Sequence, residues 1–317
     1  MKRIQHVVWV ALVALGAQAT AAAPGGRAEF SEHGDFSEAT IKRGVSASKA
    51  QCDRLTNAVW VTHPQHGTEC LKYWTAGFQA GKVERAVIFF HGDVWIGEGR
   101  TNKRYLDMTN AKLQSDADDW ARQIGAPYIF FARPGTHGSS GQHMERRRPA
   151  ESLLISAAMD QLKVKFGIKE WVVAGQSGGG HVTASLVTHR ADIVCAIPTS
   201  SPSSPRVRWQ TRGWQRDSTG FADSYEPTEH LHKVMVHPNL RVFVLGDPKD
   251  SNVVWPSQTV MTTKAREAGV AATTLEGEGS GPDRHGLSNS SRNVAGWCAR
   301  NKSTDEIVRE AAGRLKG

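Results

Sequence analysis

The sequence predicts an α/β fold in which a mostly parallel central sheet is flanked by helices on both faces. Three observations predict it. Short apolar runs rich in β-branched and aromatic residues recur along the chain. Helix-compatible stretches alternate with them, which is the order of a parallel sheet with crossover helices. The central runs are apolar throughout, not alternating, as strands covered on both faces must be.

The elements follow in order. A strand-turn-strand pattern comes first, Ala58 to Thr62 and Leu71 to Thr75. Arg85-Ala86-Val87-Ile88-Phe89-Phe90 reads as the next strand, followed by a helix over 109–124 and a strand over 127–132. A helix over 149–166 opens with Pro149, a residue suited to a first helical turn. A strand over 171–175 leads into a helix over 178–190, and a strand over 193–198 precedes an insertion at about 200–240. A strand over 241–246, a helix over 257–268, a strand over 270–276 and C-terminal helices complete the chain, which has no internal repeats. The insertion is too small for a large lid, so an open site is expected.

Ahead of this domain, assigned to residues 51–317, two segments differ in character. Residues 1–23 carry Lys2 and Arg3, an apolar run from Val7 to Gly16 and then Ala17-Gln18-Ala19, the pattern of an export signal with a small-residue cleavage site. The run is too short to span a bilayer, and no other stretch could span one. Residues 24–50, with scattered Gly, Ser and charge, read as a loosely ordered lead-in. The mature chain of about 295 residues is long enough for one large domain with its own core.

Gly175-Gln176-Ser177-Gly178-Gly179 matches G-x-S-x-G between the apolar strand and the helix. A serine on such a turn is held in a strained backbone conformation with its hydroxyl projecting from the sheet edge, and the flanking glycines avoid clashes with neighbouring strand and helix. The bare pentapeptide is a weak signal; its strand-turn-helix context gives it weight. Catalytic partners of such a serine follow in the chain order acid, then histidine. Beyond residue 250 there is one histidine, His285, in the loop Gly281-Pro282-Asp283-Arg284-His285-Gly286-Leu287. Two aspartates compete for the acid after the strand at 241–246. Asp247 before Pro248 has a bland explanation as a turn residue; Asp250 lies further into the loop and is favoured. Ser177 would attack a carbonyl, His285 would move the proton, and the carboxylate would orient and stabilise the imidazolium. The oxyanion would take the N–H of Gly178 and one from the loop after strand 85–90, His91-Gly92-Asp93, with the Asp93 N–H as donor.

Together these stretches resemble the α/β-hydrolase superfamily over roughly residues 55–315. Gly246 to Val253 is similar to the family's G-x-x-D-x-x-V stretch with one extra residue. His91-Gly92-Asp93 is similar to its HGGG-type loop with Asp93 at the third position, and Phe130 to Gly141 to its strand plus R-x-G-x-G-x-S turn. The resemblance implies an α/β-hydrolase fold, a Ser-His-Asp serine hydrolase acting on an ester or amide through an acyl-enzyme, and no cofactor. It says little about the substrate.

Four cysteines fit an oxidising compartment. Cys52 and Cys70 flank the strand-turn-strand pattern, which favours their pairing, and Cys195 could meet Cys298. Three connectivities are open. The His63/His66 and His230/His232 pairs lack partners at a metal spacing, so no metal is assigned.

Charge bears on the substrate. The formal net charge is +8, and loss of Lys2 and Arg3 would leave +6. Arg146, Arg147 and Arg148 precede Pro149, where cations oppose the helix dipole. The insertion adds Arg206, Arg208, Arg212 and Arg216 with Trp209 and Trp214. Trp95 and Trp255, beside the oxyanion and acid loops, are expected to line the pocket. Such a rim would attract an anionic substrate, small or polymeric; the alternative is a solvated basic face. No nucleic-acid module is present. Two further functions stay open: an endo-acting extracellular depolymerase of an acidic polymer such as poly(aspartic acid), or of a polyester, and a non-catalytic polyanion-binding protein on the same scaffold. Oligomeric state is left open.

Overall fold

The computed structural model describes residues 26–79, 81, 83–95, 101–231 and 237–317; the expected export signal lies outside them. In the segment read as a loosely ordered lead-in, a two-residue strand β1 (Ala28–Glu29) pairs in parallel with β2 (Val45–Ser46) around helix α1 (Glu38–Arg43). Helix α2 (Lys49–Asp53) follows. Short-range capping starts the two helices. The Ser37 hydroxyl accepts from the Thr40 N–H, and Ser48 with Gln51 forms a reciprocal capping box. Ile41 anchors the segment by packing with Val94 and Tyr105.

The main sheet begins with the hairpin β3 (Ala58–His63) and β4 (Gly67–Ala76), then β5 (Val83–Phe90). After the short α3 (Lys103–Leu106) come α4 (Asn110–Ile124), β6 (Tyr128–Phe131) and α5 (Pro149–Phe166). Next are β7 (Ile168–Gln176), α6 (Gly178–Val187) and β8 (Ile193–Thr199). The insertion carries α7 (Pro205–Thr211) and α8 (Pro227–His230), and β9 (Arg241–Gly246), α9 (Trp255–Glu267), β10 (Ala271–Glu276), α10 (Ser288–Ala299) and α11 (Thr304–Ala311) finish the chain.

The eight strands lie in the order β10-β9-β8-β7-β5-β6-β4-β3. From β10 to β6 every pairing is parallel; β4 and β3 add an antiparallel edge. Because the parallel strands are covered on both faces, their apolar residues split into two cores. Val173, Ile88 and Val244 pack with α5, α6 and α9, whereas Val172, Phe89 and Phe243 pack with α4 and α10. Disulfides Cys52–Cys70 and Cys195–Cys298 tie α2 to β4 and β8 to α10. No helix among the described residues is long and apolar enough to cross a membrane.

Strand order places the site. After β5 the chain moves outward to β6, then returns to the other side of β5 as β7. A crevice opens beyond the carboxyl ends of two strands whose connections diverge in this way. Phe90 on β5 is level with Gly175 on β7, so the loop starting at His91 faces the turn at Ser177.

Candidate active site

Ser177 occupies the turn between β7 and α6 with φ 56° and ψ −121°, a conformation that costs a non-glycine residue energy and is held by its surroundings. Its N–H donates to the Thr199 carbonyl at the end of β8 (2.8 Å). The flanking glycines are required by contact: a Cβ on Gly179 would run into the carbonyl oxygens of Phe90 and His91, and one on Gly175 into that of Gly179. Gly178 opens α6, so its N–H is among the donors that a helix leaves unpaired at its first turn.

His285 reaches the same cleft from the loop after β10. Its Nδ1 lies 2.8 Å from Oδ2 of Asp250, whose side chain is fully buried. Oδ1 of Asp250 accepts from the N–H groups of Asn252 (2.8 Å) and Val253 (2.9 Å), and Gln258 Nε2 donates to Oδ2 (3.2 Å). The carboxylate is thereby fixed in place and acts on the ring from one side. His285 Nε2 is buried and has no hydrogen-bond partner among the described residues. Asp247 is committed elsewhere. It accepts from the N–H groups of Lys249 and Gly279 and pairs with Arg284 Nε at 2.7 Å, bracing the histidine loop without touching the ring.

Gln176, which sequence reasoning passed over as the variable residue of the motif, also holds that loop. Its Nε2 donates to the His285 carbonyl (2.9 Å), and the Ser288 hydroxyl donates to its Oε1. Only the 112-residue separation from Ser288 hid it; no local signal marks such a contact.

Asp93 follows β5 as the sequence predicts, but its carboxylate is the centre of an ion-pair cluster. Oδ1 accepts from Arg133 Nη1 (2.9 Å), and Oδ2 from Arg146 Nε (3.0 Å) and Arg147 Nη1. A Cβ on Gly178 would strike Oδ1, so this carboxylate lies against the start of α6. Arg133 also pairs with Glu151, and Arg147 with Asp217, each at 2.7 Å. Burial would push the Asp93 carboxyl up, yet Arg147, Arg146 and Arg133 outweigh it and hold the group well below the usual carboxylate range. Behind the loop, burial holds the His91, His137 and His143 imidazoles well below their usual value, with Arg133 adding to the effect. The Val94 N–H donates to His143 Nε2 at 3.4 Å.

Three expectations about the rim are corrected. Arg146 and Arg147 line the cleft but are 4 % and 1 % exposed, and serve as internal counter-charges instead of a solvated steering patch. Arg148 lies outside the cleft, pairs with Glu145 and Asp223 and stacks on Phe221. Trp255 does not line the cleft; it opens α9 and packs close to Gly246. Trp95 does line it.

The cleft has a volume of about 590 Å³ and a mixed lining. Phe89, Tyr105, Met108, Leu113 and Phe130 supply apolar lining, with Arg292 stacked on Phe89. Arg146, Arg147, Arg208, Ser218 and Asn252 form a hydrogen-bonded polar part of the wall. Among the described residues no cluster of His, Cys, Asp or Glu is arranged to hold a metal ion.

No protein-family model and no curated protein matches the chain. Solved structures do. The chain is similar to the Pyrococcus furiosus esterase Pf2001, at 14 % identity over 86 % of this chain and 98 % of that one, with a TM-score of 0.51. It is similar to ferulic-acid-bound Est1E from Butyrivibrio proteoclasticus at 13 % identity, over 81 % and 100 % of the two chains, with a TM-score of 0.52. A third is Pyrococcus horikoshii acylaminoacyl peptidase: 10 % identity, 82 % of this chain, 46 % of that one, TM-score 0.53. The architecture is the α/β-hydrolase fold.

Proposed function

We propose that the chain is an exported serine hydrolase that cleaves an ester or amide bond through an acyl-enzyme. One observation carries the reading. Ser177, in a strained turn at the switch point of the sheet, shares a cleft with His285, and the far ring nitrogen of that histidine is bound to the buried Asp250.

Each group has a role. Ser177 Oγ attacks the substrate carbonyl while His285 Nε2 takes its proton, then returns it to the leaving group. Asp250 selects the tautomer with hydrogen on Nδ1 and stabilises the imidazolium. The tetrahedral oxyanion takes the N–H groups of Gly178 and Asp93. A carboxylate beside an oxyanion would be repulsive, but the three guanidiniums around Asp93 neutralise it. Water then releases the acyl group by the same path in reverse.

The similar structures include both esterases and an acylaminoacyl peptidase, which suits either bond. Arg208 in the cleft wall, whose nearest carboxylate oxygen is 3.9 Å away, favours a substrate with negative charge. Two disulfides fit an oxidising, extracytoplasmic compartment. A fluorophosphonate probe tests the central claim. The wild-type protein should be labelled covalently and Ser177→Ala should not; a wild-type protein that stays unlabelled removes the hydrolase reading.

A further inference from the structure

The arginine cluster in and behind the cleft wall holds more positive charge than its carboxylates neutralise. Three carboxylates stand there, Asp93, Glu151 and Asp217, and their ion pairs within 3.0 Å are all to Arg133, Arg146 and Arg147. Arg208 on α7 is a fourth guanidinium, 8 % exposed. Its nearest carboxylate oxygen, on Asp217, is 3.9 Å away and already serves the Ser218 N–H.

Arg208 is instead held by neutral acceptors. Nε and Nη2 donate to the Asn252 carbonyl (3.2 and 3.1 Å), Nη2 also to Asn252 Oδ1 (2.9 Å), and Nη1 to Ser218 Oγ (2.9 Å). Ser218 Oγ also accepts from Arg147 Nη2 at 2.8 Å, so the cluster is continuous from Asp93 to Arg208. Arg212 adds charge: its Nη2 donates to the same Asn252 carbonyl, and among the described residues no carboxylate pairs with it. Burial, then repulsion from Arg147 and Arg212, pushes the Arg208 guanidinium down to about 10. A buried cation without a full counter-charge is costly, and an anion arriving from solvent would relieve that cost.

Arg208, Ser218 and Asn252 all line the cleft that holds Ser177 and His285. We infer that these three residues form the receptor for a carboxylate on the substrate, which makes Arg208 a specificity-determining residue. The inference rests on the hydrolase reading for its substrate, but not for its binding chemistry. The Nε and Nη2 donors of Arg208 are spent on Asn252 and one Nη1 donor on Ser218. A substrate carboxylate would therefore meet the charge and the remaining Nη1 N–H of a guanidinium held in place by those neighbours. Phe89, Met108, Leu113 and Phe130 in the same lining offer the rest of the molecule apolar contact, beside Arg292 on Phe89. The favoured substrate is therefore an ester or amide with a free carboxylate near Arg208 and an apolar remainder.

The test compares a nitrophenyl hemiester of glutaric acid, which keeps a free carboxylate, with the neutral nitrophenyl ester of pentanoic acid. Wild-type protein should favour the hemiester, and Arg208→Gln should lower the ratio of the two kcat/KM values by about 10–100-fold. Arg206→Gln, an exposed neighbour paired with Glu229, should leave the ratio as it is. If Arg208→Gln does not fold, Arg208→Lys replaces it; loss of the planar fork should still lower the ratio. An unchanged ratio in the folded variant, or a wild type indifferent to the carboxylate, overturns the proposal. Calorimetry with glutarate and neutral glutaramide runs without turnover. Binding of glutarate alone, weakened in the variant, supports the receptor, and equal binding of both overturns it. Absent fluorophosphonate labelling would remove the hydrolase reading, while this calorimetric arm still decides the receptor.

Discussion

Asp250 Oδ2 lies 2.8 Å from His285 Nδ1, while Asp247, three residues earlier, is bound to Arg284 Nε at 2.7 Å. Two aspartates of one loop thus hold two neighbouring residues of another, one through the imidazole and one through the guanidinium beside it.

Their substitutions should separate chemistry from stability. Asp250→Asn should lower kcat by about 10⁴-fold, because the amide no longer selects the working tautomer. Asp247→Asn should keep most of the activity and lose stability by about 1–3 kcal/mol, since two backbone N–H groups and Arg284 lose a charged acceptor. Steady-state rates and urea unfolding on both variants check it; collapse of kcat in Asp247→Asn with a near-normal Asp250→Asn would exchange the two roles.

Arg147 should matter to the fold and Arg148 should not. Arg147→Met leaves Asp93 and Asp217 short of their shared counter-charge, and breaking a buried pair of this kind costs about 3–5 kcal/mol. Arg148→Gln removes only partly exposed pairs, so its effect should stay within about 1 kcal/mol. Denaturant midpoints of the two variants measure the contrast directly.

Glu226 sets a pH dependence. Burial pushes its carboxyl up to about 7, against the Ser204 hydroxyl and Arg206 N–H that donate to it. A carboxyl raised in the folded state binds its proton more tightly there than in the unfolded chain. Its contribution to stability is therefore full below the unfolded value, falls as pH rises from about 4.5 to about 7, and is flat above. Glu226→Gln removes that fall, so the difference in unfolding free energy between pH 5 and pH 8 should be smaller in the variant. An identical difference in both proteins counts against it.

The two disulfides should differ in weight. Cys52–Cys70 closes 18 residues and Cys195–Cys298 closes 103. Loop-closure entropy assigns about 3 kcal/mol to the first and about 5 kcal/mol to the second. Paired Cys→Ala variants in urea should rank in that order; non-reducing peptide mapping of the wild type should recover both bridges.

Legibility followed the range of the interactions. The central parallel strands from Ala86 to Leu245 could be read because each is built round a continuous apolar run, a local consequence of burial on both faces. The motif glycines could be read because they fall in a fixed local pattern. The atoms they make room for, the Phe90 and His91 carbonyls and the Asp93 carboxylate, nevertheless belong to a distant strand and loop. The lead-in could not. Its order depends on Ile41 meeting Val94 and Tyr105, residues far along the chain.

The sequence by itself determined the alternation of strands and helices, the strained serine turn, and the loops from which Asp250 and His285 come, because local composition and chain order encode them. Tertiary structure alone decided what the charges do. Arg146 and Arg147 looked like a basic rim while their partners were unknown, but Asp93 is 53 and 54 residues away and Asp217 is 70 from Arg147. A charge acts according to its counter-ion and its burial, and both are set by segments that meet only when the sheet assembles. The same assembly leaves Arg208 as the cation that those carboxylates do not pair closely, on the wall of the cleft.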